Sequence, residues 1–232
     1  MKTPVVDYRE FRLKKLNEPR FSHLKLLVGW LVYFLFYFLT ENLIPASACH
    51  PVHCWVDDVV PFTEWFVIFY VGWFFLIAFS LIYFALYDIE SFKSLSKFIM
   101  ITQFVAIVCY IVYPTRQDLR PEVFPRNNIF TAVLTFIYAF DTPTGVCPSL
   151  HVAYSLGIAS VWLKRKDSTV LTKVFITAFA TCICLSVMFV KQHSAVDVFF
   201  AIILGALAEL VVFRKRYFQK AHFGKSEPFS AQ

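Results

Sequence analysis

The stretch MFVKQHSAVDVFFAII, Met188–Ile203, sets Lys191, His193 and Asp197 between two long apolar runs. Its reading decides the fold. The run before it begins near residue 172 and the run after it ends near residue 213, so each approaches the roughly 20 residues that a membrane-crossing helix needs. A lysine, a histidine and an aspartate between two such runs stand at a membrane surface, where they can meet water and headgroups.

Composition supports a membrane setting. The 232-residue chain is 58% hydrophobic and only 16% charged, against roughly 45–50% and about 25% in soluble domains. A soluble fold would lack the polar residues to cover its surface. Apolar runs at about 26–44, 62–87, 96–113, 149–163, 172–190 and 194–213 read as six spans, the fourth of them short and expected to start inside the preceding loop. A further piece, IFTAVLTFIYAF at 129–140, reaches only about 18 Å as a helix and is expected to be re-entrant or interfacial. The expectation is an all-α integral membrane protein of six transmembrane helices, with one domain over 26–213. A basic lead, 1–25, precedes it and a basic tail, 214–232, follows.

Of the 22 lysines and arginines, 18 fall on the face that carries both termini. The positive-inside rule places that face in the cytoplasm and the loops around 45–61, 114–150 and 191–194 outside. The tail sequence RKRYFQK fits anionic lipid headgroups better than nucleic acid. ASAC at 46–49 has the look of a signal-peptide cleavage site, but the apolar run before it is longer than such peptides carry, so a retained first span is expected. Cys109, Cys182 and Cys184 lie within spans and read as packing residues. Cys49 and Cys54, in CHPVHC, form a possible disulfide in an oxidising compartment. With His50 and His53 they also make a cramped metal set, ill spaced for a tetrahedral zinc.

Chemistry collects in two of the outside loops. His193 and Asp197 are four residues apart and share a helix face. The carboxylate can hold one ring nitrogen and leave the other as nucleophile or base. His151 follows Pro148 and Ser149 in the first turn of the fourth span, where unpaired N–H groups and the dipole favour phosphate oxygens. Arg116 and Arg120 offer two-pronged contacts to phosphate, and Pro121 stiffens the chain beside Arg120. Taken singly, each feature has a plainer reading: a helix-stabilising His/Asp pair, or arginines on headgroups. A proton-coupled transporter is a further alternative, but its ionisable residues would sit near mid-membrane on broken helices rather than at helix ends.

These residues resemble the type 2 phosphatidic acid phosphatase (PAP2) superfamily of membrane lipid phosphatases and phosphotransferases. Arg120-Pro121 matches its first motif, Pro148-Ser149-Leu150-His151 its second, and Ser186, His193 and Asp197 its third. The matched motifs lie within 113–197. Leu150 stands where the family has Gly. Tyr113 and Val187 stand where it has a lysine and an arginine, and Arg116 and Lys191 are the expected substitutes. The PSLH form is similar to the inositol phosphorylceramide synthase branch, whose members move a phosphorylated headgroup between lipids. The resemblance implies that His193 attacks phosphorus, Asp197 supports its ring and His151 moves the proton. It further implies that Arg116, Arg120, Ser149 and Lys191 hold the phosphate, without metal or cofactor. The expected substrate is a phospholipid, prenyl pyrophosphate or sphingolipid, acted on at the extracytoplasmic surface of the cell membrane. Cys147 has no part in the family pattern and reads as packing.

Overall fold

The computed structural model describes residues 3–217; most of the tail assigned to 214–232 lies outside them. The chain is helical almost throughout: α1 (Val28–Leu43), α2 (Trp55–Val59), α3 (Val67–Tyr87), α4 (Ile89–Val112), α5 (Ile129–Phe140), α6 (Leu150–Lys164), α7 (Val170–Phe189) and α8 (Ala195–Val212). Two short strands, β1 (His50–Pro51) and β2 (Thr115–Arg116), pair in parallel and tie the loop after α1 to the loop after α4.

Among the described residues, five helical segments are long and apolar enough to cross a membrane: Ser22–Leu43, Glu64–Tyr87, Ile89–Val112, Val170–Phe189 and Ala195–Val212. Large apolar side chains such as Phe75, Phe104 and Phe175 stay exposed along them, as a lipid-facing surface requires. The fourth expected span, α6, differs. It has 15 residues, about 22 Å at the helical rise. Its neighbours account for its shortness: α6 packs against α3, α4, α7 and α8, and Val152, Ala153, Tyr154, Ile158 and Val161 are buried. A helix wrapped in protein does not have to match the lipid thickness along its own length. Gly157 allows the closest approach, because a Cβ there would lie 2.5 Å from the Phe98 ring of α4.

Helix α5 does not cross. Asn128 caps its start by accepting from the Phe130 and Thr131 N–H groups. The Asn128 side chain also donates to Glu64 Oε1 at 3.1 Å, just ahead of the start of α3. Near its other end, the Tyr138 hydroxyl donates to Val190 O at 2.6 Å, in the turn between α7 and α8. Both ends of α5 therefore lie at the same end of the bundle. The loops at 113–128 and 141–149 and the turn at 190–194 gather there. The opposite end is closed by Arg165, which is buried and pairs with Asp88 and Asp167 at 2.8 and 2.6 Å.

Candidate active site

The start of α8 is built by a reciprocal cap. Ser194 Oγ accepts from Val196 N at 3.2 Å, and Ser194 N donates to Asp197 Oδ2 at 2.9 Å. The same carboxylate oxygen lies 3.3 Å from His193 Nδ1. With Asp197 fully buried, an Nδ1–H directed at it fixes the tautomer and leaves Nε2 with its lone pair. The turn before it is tight: Gln192 N and His193 N both donate to Val187 O, at 2.9 and 3.0 Å. Lys191 takes φ +54° to make this turn.

His151 arrives from α6. Its ring lies between aromatic faces of α3, with centroids 4.3 Å from Tyr70 and 4.1 Å from Trp73. The His151 and His193 ring centroids are 6.0 Å apart, at 60°. His151 Nε2 and Ser149 Oγ are buried and have no hydrogen-bond partner among the described residues. Ser149 N donates to Asp197 O at 3.3 Å, which joins the α6 start to the α8 start. His151, Ser149, His193 and Asp197, more than 40 residues apart in sequence at their extremes, form one group.

The expected phosphate cations are placed differently. Arg120 spreads its guanidinium over the carbonyls of Tyr138 (3.1 Å), Asp141 (2.9 Å) and Thr142 (3.3 Å), and lies over the Tyr138 ring at 4.6 Å. Its Nε is buried and unpaired among the described residues. Burial lowers the Arg120 pKa from its ordinary value, against the pull of Asp141. Lys191 Nζ donates to the carbonyls of Asp57 (2.8 Å) and Val60 (2.6 Å). Burial lowers its pKa too, opposed by Asp57 and Asp58. Arg116 donates to Ala46 O and to Asp118, both at 3.2 Å. Tyr113 stacks on His50 at 4.3 Å, and Val187 is wholly buried in the apolar core. Neither of these two positions offers a cation.

No bond joins Cys49 and Cys54. The Cys49 thiol donates to Pro45 O at 3.6 Å, and both cysteines are free. The Cys147 thiol is pushed up to about 12, first by burial and then by the Asp197 carboxylate. It therefore stays protonated at neutral pH.

Four residues of this neighbourhood carried no sequence signal. Tyr70 and Trp73 lie inside the unbroken apolar run of α3, where aromatic residues are expected anyway. Asp141 accepts from Tyr37 and Tyr70 hydroxyls (3.1 and 3.2 Å) and from Gln192 Nε2 (3.1 Å). Asp57 is the fourth. Its carboxylate accepts from Ser194 Oγ at 2.5 Å, Ala195 N at 2.8 Å and Cys54 N at 2.9 Å. It is an external cap for α8, supplied from the short helix α2, 137 positions earlier. Asp57→Ala would leave those donors buried and unpaired, a loss of about 1–3 kcal/mol per group. Thermal unfolding of the purified variant is expected to show a clearly lowered midpoint, with turnover falling as the His193 turn loosens. Asp57→Asn, which keeps one acceptor oxygen, should recover part of both.

The arrangement can carry out nucleophilic displacement. A carboxylate-held imidazole faces a second imidazole across a gap of atomic dimensions, beside a helix N-terminus. Comparison with curated proteins and with solved structures gave no match. The family model described as the PAP2 superfamily matches residues 95–221, which include both histidines, Asp197 and Arg120. That match spans more than half of the chain, so the protein belongs to the PAP2 superfamily.

Proposed function

We propose that this protein transfers the phosphoryl group of a phosphorylated membrane lipid at the extracytoplasmic surface, through a phosphohistidine on His193. The observation that carries the reading is the pair of rings, with His193 held by Asp197 and its centroid 6.0 Å from that of His151. His193 Nε2 attacks phosphorus, the bond to the lipid oxygen breaks, and His151 gives its proton to that departing oxygen. His151, now neutral, takes a proton from water or an alcohol. That oxygen attacks the phosphohistidine and releases His193.

Ser149, Arg120, Arg116 and Lys191 are the proposed phosphate-binding groups. For Arg116 and Lys191 the role requires that they exchange a carbonyl partner for a phosphate oxygen on binding, a trade favoured by the charge of the ligand. Leu150 in the PSLH motif supports transfer of a headgroup to an acceptor lipid, as in inositol phosphorylceramide synthase-like proteins. The distribution of basic residues supports a location in the cell membrane with six spans and both termini in the cytoplasm.

Two experiments test this reading. Purified protein in chelator, offered phosphatidate, prenyl pyrophosphate, phosphatidylglycerol phosphate and an inositol phospholipid, is expected to release a phosphorylated or dephosphorylated product from at least one. Adding an acceptor alcohol separates transfer from hydrolysis by product mass. No turnover of any of the four would contradict the reading. For sidedness, a membrane-impermeant thiol reagent on intact cells should modify a single cysteine introduced at Asn127 and spare one at Ser168. The reverse labelling would place the site in the cytoplasm.

A further inference from the structure

The two histidine rings stand 6.0 Å apart at 60° and arrive on separate elements. His193 is held by its own neighbours, through Asp197 and the turn onto Val187 O. His151 has less support. Its Nε2 has no hydrogen-bond partner among the described residues, so the plane of the ring is set by the faces on which it stacks. Tyr70 and Trp73, three residues apart on α3, supply those faces. The two differ in what their polar ends do. The Trp73 indole nitrogen is buried and has no partner among the described residues. The Tyr70 hydroxyl accepts from Gln192 Nε2 and donates to Asp141 Oδ2, both at 3.2 Å. Gln192 Nε2 donates to the same Asp141 oxygen at 3.1 Å. These groups close a triangle between the first turn of α3, the residue after α5 and the turn that carries His193. The Arg120 guanidinium stands beside Asp141, donating to its carbonyl at 2.9 Å and balancing its charge. The carboxylate therefore serves as a fixed acceptor within the triangle.

We infer that Tyr70 is a positioning residue that sets the spacing of the two histidines: its ring fixes the plane of His151, and its hydroxyl fixes, through Gln192, the turn that presents His193. The inference rests on the phosphoryl-transfer reading above and adds to it the residue that keeps the two reacting rings in register. Tyr70 is buried, and both parts of its side chain are held. The face lies 4.3 Å from His151, at 24°, and the hydroxyl is fixed by two partners. A tyrosine has only two side-chain torsions, so a ring held at the face and at the hydroxyl is a rigid spacer. Gln192 carries the effect to the nucleophile directly, because its backbone N–H and that of His193 share one acceptor, Val187 O. The chemistry needs such a spacer. Phosphorus has to meet His193 Nε2 while the departing oxygen meets His151, and a misplacement of about 1 Å costs on the order of a hundredfold in rate. Trp73 touches only the His151 side of this arrangement, whereas Tyr70 touches both.

The test separates the two halves of this role by leaving group. Full-length protein in lipid nanodiscs is mixed with phosphatidate or with an aryl phosphate, and the first-turnover rate of phosphohistidine formation is measured by rapid quench. Tyr70→Phe keeps the ring on His151 and removes the hydroxyl. It is expected to slow both substrates by about tenfold and to leave the ratio of the two rates at the parent value, since only the nucleophile's turn is loosened. Gln192→Leu should do the same, and the double variant should lose little more than either single one, because both cut the same link. Tyr70→Leu removes the ring as well. It should slow phosphatidate by about tenfold more than the aryl phosphate, whose leaving group needs little protonation from His151. Should Tyr70→Leu not fold, Tyr70→Met removes the same ring with a longer, flexible side chain and carries the same expectation. Parent rates in Tyr70→Phe, additive losses in the double variant, or an unchanged rate ratio in the ring-deleting variant would overturn the inference while leaving the His193 mechanism intact. A parent protein that forms no phosphohistidine with either substrate would overturn the mechanism and the inference together.

Discussion

His193→Ala is expected to abolish turnover of every phosphorylated substrate, by about four orders of magnitude or more, because no other side chain supplies the attacking atom. The leaving group does not matter to this loss. An acidic phenol departs without help, but it still has to be displaced. The variant should fold. The backbone bond from residue 193 to Val187 O does not involve the side chain, and Asp197 keeps its bond from Ser194 N at 2.9 Å. A preserved unfolding midpoint with lost activity is therefore the expected pair of results. Retained midpoint and retained turnover would remove the nucleophile assignment.

The second large effect depends on substrate. His151→Ala should slow cleavage of a lipid monoester by about 10²–10⁴-fold, the usual contribution of a positioned general acid. Cleavage of an aryl phosphate, whose phenolate needs little protonation, should suffer much less. The difference belongs to the first step, so it is read in the burst of phenol release by rapid quench rather than in steady state. Alanine also empties the space between Tyr70 and Trp73, 4.3 and 4.1 Å from the ring centroid. His151→Phe is the companion variant, since it keeps a flat ring there and removes the proton. Both variants are expected to show the same leaving-group dependence. Equal burst losses for the lipid and aryl esters would sink the general-acid role.

Much of this molecule was legible in its sequence because the bilayer imposes a length on apolar runs. The helices at 67–87, 89–112, 170–189 and 195–212 follow such runs closely, and the short α5 was expected to stay on one side for the same reason of length. The exception, α6, shows the limit of that rule. A helix enclosed by four neighbours follows their packing rather than the bilayer, and only Gly157 and a run of small residues hint at this in one dimension. The His193/Asp197 pair and His151 were visible because their spacing and their positions at helix starts have a local cause.

The surroundings were less visible. Tyr70 and Trp73 are indistinguishable in sequence from other aromatic residues of α3, and become neighbours of His151 only through the packing of α3 on α6. Asp57, in the short α2, and Asp141, just after α5, are set against the start of α8 by tertiary contacts, with no periodicity to reveal it. Charges offered a further lesson. Sequence order placed Arg116 and Lys191 near the matched motifs, and the structure shows both with other partners, holding loops together at Ala46, Asp57 and Val60.

The central claim is that the phosphoryl group passes through His193. Protein purified in nanodiscs is mixed with a ³²P-labelled lipid substrate, quenched in alkali within the first turnover, digested and mapped by mass spectrometry. The account predicts an alkali-stable, acid-labile phosphoryl group on the peptide that contains His193. The label should form at a reduced rate with a lipid substrate in His151→Phe and be absent in His193→Ala. Label on another residue, or full turnover with no labelled protein at any time, would contradict it.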